Sequence, residues 1–305
     1  MLRIRRIEEA ITKKYSSQKM RCPVRLSIGR EAIAVGVSDA LEKADLIMSA
    51  YRPHAHYLAK GGNLVKLISE LYGKELGCSM GRGGSTHLAD LSVGMMGSTS
   101  ISGGTIPVAT GLAFASVLKN SKKLVVCFFE DESFEEGIFC ECLSFASLKN
   151  LPIIFIYENY TGFTEGTQFN KMHIANSHGI LTQLCKNGND VEKVHATTKK
   201  AIHSIKNKNG PAYIEFEVPF IDPKDTLLEP DIENLPHLDL NLKDKKHCPL
   251  QRFIHRLLGE KILTKNILEE MELSIKEEII NAFERAKQSP YPIYEPSSDV
   301  AYANS

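Results

Sequence analysis

Two runs of apolar residues with a helical segment between them place the strongest constraint on the fold of this chain. The first run is Leu124–Phe129, the second is Pro152–Tyr157, and Phe134–Leu148 between them has the pattern of a helix. Continuous apolar strands are typical of a parallel sheet buried on both faces, because a strand with one solvated face would alternate apolar and polar residues. The segment therefore predicts a βαβ unit in an α/β fold, with a central parallel sheet and helices on both faces.

Polar residues follow both apolar runs at the point where each strand ends. Glu130–Glu132 follow the first run, and Glu158–Tyr160 follow the second. In open parallel sheets, ligands bind beyond the carboxyl ends of the strands. Carboxylate and amide oxygens suit Mg²⁺, which would bridge to a phosphate. The alternative is that the carboxylates only cap the next helix, whose N-terminus favours negative charge, and the spacing leaves both interpretations open.

The rest of the chain predicts further elements around this unit. Helices are predicted over 2–14, 29–45, 63–77, 104–120, 191–206 and 249–289, and strands at the start of 45–62 and over 210–218. The segment after the first of these strands is predicted as a polar loop. The glycine-rich tract 77–104 is long enough to indicate a functional segment. We expect one domain over residues 1–290 and a loosely ordered tail over 291–305.

The composition excludes several classes of protein. Of 305 residues, 43% are hydrophobic and 24% charged, and the formal net charge is zero. Without a basic patch, nucleic-acid binding has little support. No apolar run approaches the ~18 residues of a membrane span, and the first residues lack the apolar core of a signal peptide. The seven cysteines form no paired CxxC array, which is typical of a reducing compartment, so we expect a cytoplasmic protein.

Several stretches identify a family. They are "SIGREAIAVGVSDAL", "SAYRPHAHYLAKGG", "LYGKELGCSMGRGGSTHLAD", "GGTIPVATGLAFA" and "GPAYIEFEV", and they occur in this order. In them the chain resembles the alpha subunit of the thiamine diphosphate-dependent 2-oxo acid dehydrogenases (the first components of pyruvate, branched-chain and acetoin dehydrogenase). The resemblance covers roughly residues 3–217 and 248–290.

The resemblance implies a fold, an activity and a partner. The fold is the thiamine diphosphate-binding α/β fold, and the activity is oxidation of a 2-oxo acid or acetoin with thiamine diphosphate and Mg²⁺ as cofactors. The implied partner is a beta-type subunit in an α₂β₂ assembly, which supplies the aminopyrimidine half of the site. A homodimer and a split transketolase-like pair with a sugar-type substrate stay open as alternatives.

The resemblance also implies cofactor-binding residues. The family's Tyr-Arg pair, which binds the diphosphate, falls on Tyr51 and Arg52, a phenol and a guanidinium that can donate to phosphate oxygens. The loop that cups the aminopyrimidine falls on Ser100–Gly104, with Ser100 and Ser102 in place of the usual glycine and valine. Two histidines are carried over as catalytic: His54, on the same loop as Arg52, and His87, at the active-site entrance.

The implied metal site lies at the two strand ends. The metal-binding aspartate falls on Asp131, with Glu132 beside it at the diphosphate. The asparagine pair of the family falls on Asn159 and Tyr160, and the backbone-carbonyl ligand falls on Gly162. On the loop after residue 218, the family's arginine and histidine fall on Phe220 and Lys224, and nothing in the sequence places His237 at the site.

This chain departs from the family at the diphosphate motif itself. The family has Gly-Asp-Gly where this chain has Glu130, Asp131 and Glu132. Glycine there lets backbone approach the phosphate, whereas Glu132 adds a negative side chain. Two like unit charges ~4 Å apart cost about 4 kcal/mol at an effective dielectric near 20, which is roughly a thousandfold in affinity. Tyr160 offers a phenol, which is a poor Mg²⁺ ligand.

Three interpretations of the chain follow. It is a working thiamine diphosphate enzyme with a beta-type partner, a non-catalytic homologue that keeps the fold as a partner subunit, or a protein that holds a cation at Glu130–Glu132 without diphosphate. Fold alone does not choose among them. The sequence names neither the substrate nor the use of a lipoyl-bearing component.

Overall fold

The computed structural model describes residues 1–15, 17, 19–20, 22–101, 103–161, 171–219, 227–228 and 248–293. The helices are α1 (Leu2–Tyr15), α2 (Glu31–Ala40), α3 (His54–Ala59), α4 (Leu64–Leu71), α5 (Thr105–Leu118), α6 (Ile138–Leu148), α7 (Lys171–Ser177), α8 (Val191–Lys206), α9 (Pro249–Gly259) and α10 (Lys265–Gln288). The strands are β1 (Val24–Arg25), β2 (Leu46–Ala50), β3 (Met95–Thr99), β4 (Val125–Phe129), β5 (Ile153–Thr161), β6 (Leu181–Cys185), β7 (Ala212–Pro219) and β8 (Leu227–Leu228).

Six strands form one sheet in the order β3-β2-β4-β5-β7-β6, and every neighbouring pair is parallel. The two predicted strands of the βαβ unit, β4 and β5, are direct neighbours, with Phe129 opposite Tyr157. The parallel sheet predicted from these two apolar strands is therefore confirmed. Strands β1 and β8 form a separate antiparallel pair.

Alternate residues of the central strands pack into two separate cores, because successive side chains of a strand point to opposite faces. Val126 and Phe128 pack in the core that also receives α1, α2, α4, α8 and α10. Phe129 and Tyr157 pack in the core that receives α5, α6 and α7. Both faces are thus covered by helices, which explains why these strands are apolar throughout and confirms the predicted layers.

The strand order reverses between β2 and β4. The chain leaves β2 through α3 and α4 to reach β3 on one side, whereas it leaves β4 through α6 to reach β5 on the other side. The connections diverge at this point and leave a crevice at the carboxyl ends of the two strands, where ligands of doubly wound sheets bind. Tyr51 and Arg52 follow β2, and Glu130–Glu132 follow β4, so the sheet brings these predicted site residues to one crevice.

Most predicted elements lie where the sequence places them, and the exceptions have physical causes. Helix α8 spans the predicted 191–206, and β4 lies within 124–129. The polar loop predicted after Ala50 is wrong, because Ala55, Tyr57 and Leu58 are buried against the core and fold that segment into helix α3. None of the described helices is long and apolar enough to span a membrane.

The glycine-rich tract 77–104 contains a strand that its composition conceals. Strand β3 pairs with β2 at the edge of the sheet, although it includes Gly97 and Ser98. The predicted domain bounds, 1–290, stay a prediction. The predicted tail falls almost entirely outside the described residues, which end at residue 293.

A candidate cofactor site at the strand ends

The carboxyl end of β2 presents Tyr51 and Arg52 to the crevice. Tyr51 has φ 48°, in the left-handed region that a tyrosine rarely adopts. A side chain held in such a conformation is typical of a functional site, where the surrounding structure compensates for the strain. The phenol of Tyr51 donates a hydrogen bond to the Glu132 carboxylate. The guanidinium of Arg25 lies 5.3 Å from the centroid of the Tyr51 ring.

Two buried arginines converge on the Glu130 carboxylate. Nη1 of Arg30, which precedes α2, lies 2.7 Å from Oε1 of Glu130, and Nη1 of Arg52 lies 3.4 Å from both of its oxygens. The arginine side chains are 8% and 6% exposed, so solvent screens these pairs only weakly. Burial and the neighbouring Arg30 lower the pKa of Arg52. For Arg30, burial would lower the pKa, but Tyr160 and Glu130 outweigh it.

Asp131, the predicted metal ligand, is occupied by the protein's own donors. The ammonium of Lys171 forms an ion pair with Asp131 Oδ1, and the phenol of Tyr157 donates to the same oxygen. Nζ of Lys171 also lies 2.7 Å from the Tyr157 oxygen and 4.8 Å from the centroid of the Phe134 ring. Burial and the bond to Asp131 raise the pKa of Tyr157, so it stays a donor.

The Asn159 side chain at the end of β5 contacts the neighbouring strand. Asn159 Nδ2 donates to Glu215 Oε1 of the neighbouring strand β7 at 2.6 Å. Burial, the largest influence, raises the pKa of Glu215. The ring of Tyr160 lies under the guanidinium of Arg30, with the guanidinium carbon 3.5 Å from its centroid. The Asn159 nitrogen and the Tyr160 ring therefore have contacts, whereas the buried Tyr160 hydroxyl has no hydrogen-bond partner among the described residues.

A buried histidine and a buried carboxylate lie in contact beneath the crevice. His56 stacks on Phe128 with ring centroids 3.8 Å apart, and its Nδ1 lies 2.8 Å from Ser49 Oγ. Its Nε2 lies 3.5 Å from Oε1 of Glu158, a carboxylate that is 2% exposed. Burial would raise the pKa of Glu158, but His56 and Arg30 outweigh burial and hold the pKa below its usual value. His56, which is 3% exposed, is thus a packed histidine.

The two histidines predicted as catalytic lie in contrasting surroundings. His54 is fully buried, with Nδ1 3.0 Å from Glu8 Oε1 and Nε2 3.0 Å from Ser85 Oγ. His87 is exposed on the glycine-rich loop, where its Nδ1 lies 3.0 Å from Thr86 Oγ1. Their catalytic roles stay predictions. These contacts suit His54 to holding α1, α3 and the glycine-rich loop together, and leave His87 accessible.

The remaining predicted residues are placed only in part. Ser100 follows β3 at the edge of the crevice and is partly exposed. Ser102 and Gly162 lie outside the described residues, as do Phe220, Lys224 and His237. Arg30 and Lys171 are two cations of the cluster that the sequence pattern did not single out. Arg30 stands within "SIGREA", in the first turn of the helix predicted over 29–45, and that position was the available signal.

Comparison with known proteins identifies the family. A family described as dehydrogenase E1 component matches residues 1–295. The alpha subunit of the acetoin:2,6-dichlorophenolindophenol oxidoreductase of Bacillus subtilis is 34% identical over 303 residues, which cover 96% of this chain and 88% of that protein. The pyruvate dehydrogenase E1 component subunit alpha of Porphyra purpurea is 32% identical over 309 residues, covering 96% and 88%. The chain belongs to the dehydrogenase E1 component family.

The resemblance predicted from the sequence is therefore confirmed, since these relatives are alpha subunits of oxidoreductases. A transketolase from Campylobacter jejuni shares the fold, with a TM-score of 0.51 and 18% identity over 71% of this chain and 38% of the transketolase chain. The α/β fold predicted from the sequence is confirmed with it.

The crevice of this E1 chain has the donor set of a diphosphate–metal site, but its present arrangement does not fit the group. Arg52 and Tyr51 already bind Glu130 and Glu132, and Asp131 already binds Lys171. Among the described residues, no group of three or more histidine, cysteine or acidic side chains is arranged to hold a metal ion. The interpretation of Glu130–Glu132 as a cation site thus gains no support. Bound cofactor requires these contacts to open.

Proposed function

We propose that this chain is the alpha-type subunit of a thiamine diphosphate-dependent E1 dehydrogenase that works with a beta-type partner on a 2-oxo acid or acetoin. The observation that carries the proposal is the convergence of Tyr51, Arg52 and Asp131 at the point where the strand order of an E1-family sheet reverses. This is where an anionic ligand of such a sheet binds. The relatives named above, which are alpha subunits of acetoin and pyruvate enzymes, support the choice of substrate class.

The residues have distinct proposed roles. Arg52 and Tyr51 bind the diphosphate once Glu130 and Glu132 leave them, because a guanidinium and a phenol both donate to phosphate oxygens. Asp131 takes Mg²⁺ once Lys171 leaves it. The loop of Ser100 and Ser102 cups the aminopyrimidine through its backbone. Asn159, Tyr160 and Gly162 keep their assignment to the metal side of the site.

The two histidines have different proposed roles. His87 stands at the entrance, where it is exposed and able to meet substrate. His54, buried between Glu8 and Ser85, acts by holding the helix that follows Arg52. The proposed assembly is α₂β₂, in the cytoplasm.

One surface supports association with a partner. Helices α5 and α6 expose Val108, Leu118 and Leu148, which are 52%, 67% and 79% exposed. Gly111 on α5 has no heavy atom within 4 Å of the position its Cβ would take, so a neighbouring chain could approach the backbone there. Exposed apolar side chains in one region are typical of an interaction surface.

A second candidate function is a non-catalytic partner subunit. The observation that favours it is that the diphosphate donors and the metal-binding aspartate are all engaged by carboxylates or an ammonium of the same chain. Such a subunit would keep the fold and the association surface and stabilise its beta-type partner without binding cofactor.

Co-purification with a beta-type subunit followed by calorimetry and an assay separates the two. Under the first proposal, the pair binds thiamine diphosphate with Mg²⁺ and reduces an artificial electron acceptor with pyruvate, a branched-chain 2-oxo acid or acetoin. An Arg52→Met variant should lose both the binding and the reduction. A pair that assembles but neither binds cofactor nor reduces the acceptor would support the non-catalytic subunit instead.

A further inference from the structure

We infer that Glu130, Glu132 and Lys171 are built-in competitors of the cofactor's own charges: the two carboxylates compete with a diphosphate for the site's donors, and Lys171 competes with a divalent cation for Asp131. The inference rests on the proposed function only in placing the diphosphate site at this crevice. It goes beyond that function because it proposes that the chain's own charged side chains bind the groups that the cofactor would use.

The first competitor is Glu130. Its carboxylate lies 2.7 Å from Arg30 and 3.4 Å from Arg52, and its side chain is 17% exposed. A phosphate would seek the same guanidinium donors, because carboxylate and phosphate oxygens make the same charge-assisted hydrogen bonds. Removing Glu130 from two buried guanidiniums to admit another anion therefore exchanges one set of ionic hydrogen bonds for another. The net gain on binding is correspondingly small.

The second competitor is Glu132, which accepts the hydrogen bond of the Tyr51 phenol. Tyr51 is aimed at Glu132 from a backbone in the left-handed region, so the strained residue and the carboxylate form one unit. A diphosphate that binds Tyr51 must displace Glu132. Because Glu132 is exposed, it can swing into solvent at lower cost than Glu130 can.

The third competitor is Lys171. Its ammonium binds the carboxylate oxygen Oδ1 of Asp131 and lies beside the Tyr157 phenol and the Phe134 ring. A divalent cation needs the same oxygen, and an ammonium and a metal ion cannot share it at close range because both are positive. Lys171 begins α7, so the position of its ammonium is set by an element of the fold.

The three contacts leave none of these carboxylates without a donor of the same chain. Glu130 is paired with Arg30 and Arg52, Asp131 is paired with Lys171, and Glu132 accepts from Tyr51, while Arg25, Glu158 and Glu215 also act on these groups. A crevice whose charges are already paired internally does not need an ion to complete its contacts. The folded chain should therefore be stable without cofactor, and neither diphosphate nor Mg²⁺ should add much to its stability.

Inorganic diphosphate and Mg²⁺, each alone, test the inference without substrate or turnover. The full-length chain, co-purified with its beta-type partner, is titrated with each ion by calorimetry, and its melting temperature is followed. Wild type should bind both ions weakly. The Glu130→Gln/Glu132→Gln variant should bind diphosphate at least about 10-fold more tightly. A control, Glu135→Gln/Glu141→Gln, removes two exposed carboxylates nearby and should change the affinity less than about 2-fold.

The Mg²⁺ titration uses two variants of Lys171. Lys171→Met should gain Mg²⁺ binding and a melting temperature that rises with Mg²⁺, while the exposed control Lys149→Met should not. Lys171→Gln, which keeps a donor for Asp131, serves if the methionine variant fails to fold. The inference is overturned if wild type already binds both ions as tightly as the variants, or if neither variant gains affinity. Tight binding by the variants without any acceptor reduction would refute the proposed function and leave this inference standing.

Discussion

Two carboxylates of this chain, one buried and one partly buried, are each held by several donors, but the donors are of different kinds. Glu70, which is 1% exposed, accepts hydrogen bonds from four backbone amides of the glycine-rich loop, at Ser79, Gly81, Gly83 and Gly84, with distances of 2.7–3.1 Å. Glu130 is held by the side chains of Arg30 and Arg52. The first site is made by the path of the backbone and the second by the choice of side chains.

The difference teaches which part of the crevice can change by substitution. Backbone donors persist whatever residues carry them, provided that the loop keeps its path. Gly81 must stay glycine for that path, since it has φ 74° and a Cβ there would meet Gly73 backbone at 2.6 Å. The strand-end cluster is held by side chains, so we propose that glutamates at positions 130 and 132, in place of the glycines implied by the resemblance, are enough to change its contacts. We therefore expect the hydrogen bonds of the glycine-rich loop to survive most substitutions, and the contacts at the strand ends to change with the side chains present.

The largest expected effect is on the backbone-held site. Glu70→Ala leaves four part-buried amides without their acceptor, and since each unsatisfied buried group costs about 1–3 kcal/mol, we expect a loss of about 3–5 kcal/mol. Urea denaturation measures the free energy of unfolding. Glu75→Ala, an exposed glutamate just after α4, is the control and should change it by less than about 0.5 kcal/mol. Equal losses at the two positions would break the comparison, because Glu70 would then not organise the loop.

A smaller effect is expected at the strand ends. Arg30→Met removes the closer of two guanidiniums from Glu130, but Arg52 stays, so we expect a loss of about 2 kcal/mol. Glu130→Gln in the Arg30→Met background should recover part of that loss, which a double-mutant cycle measures. Arg3→Met, which breaks a half-exposed pair with Glu278, is the control and should cost less than about 1 kcal/mol. A coupling energy of zero between Arg30 and Glu130 would contradict the claim that these two side chains stabilise each other.

The smallest effect is a dependence on pH from Glu158 beneath the cluster. Its pKa is held below the usual 4.5, so the ionised form is favoured in the folded chain. That contribution to stability is complete above the unfolded pKa and is lost as pH falls through the folded pKa. We expect the stability of wild type to fall below about pH 4.5 more steeply than that of Glu158→Gln. The exposed Glu277→Gln should keep the wild-type slope, and an unchanged slope in Glu158→Gln would exclude this role.

The architecture could be predicted because it follows from patterns that are local in the sequence. The apolar runs that became β4 and β5 are buried on both faces, and burial alone requires them to be apolar. The edge strand β3 was missed because Gly97 and Ser98 carry no such pattern. Helix α3 was missed because its first residue, His54, follows a proline and reads as a loop.

The site could be predicted only as a set of positions. Asp131 was found because it stands at a strand end, which the sequence marks, and Tyr51 and Arg52 were found through the resemblance. The contacts of these residues could not be predicted. Lys171, for example, carries no distinguishing pattern in the sequence, and only the fold brings it to Asp131. Glu70 was not singled out either, because it lies outside the apolar row at i, i+3, i+4 and i+7 that predicted its helix, although the structure buries it.

The most direct test of the central claim is calorimetric titration of the chain, paired with its beta-type partner, with thiamine diphosphate and Mg²⁺. The variant restores the family residues in one protein, with Glu130→Gly, Glu132→Gly and Tyr160→Asn. If the carboxylates compete with the cofactor, the variant binds at least about 10-fold more tightly than wild type, a difference of about 1.4 kcal/mol. Asp131→Ala in the variant should abolish that gain. Tight binding by wild type that the triple change weakens would contradict the account, because Glu130 and Glu132 would then be part of the cofactor site itself.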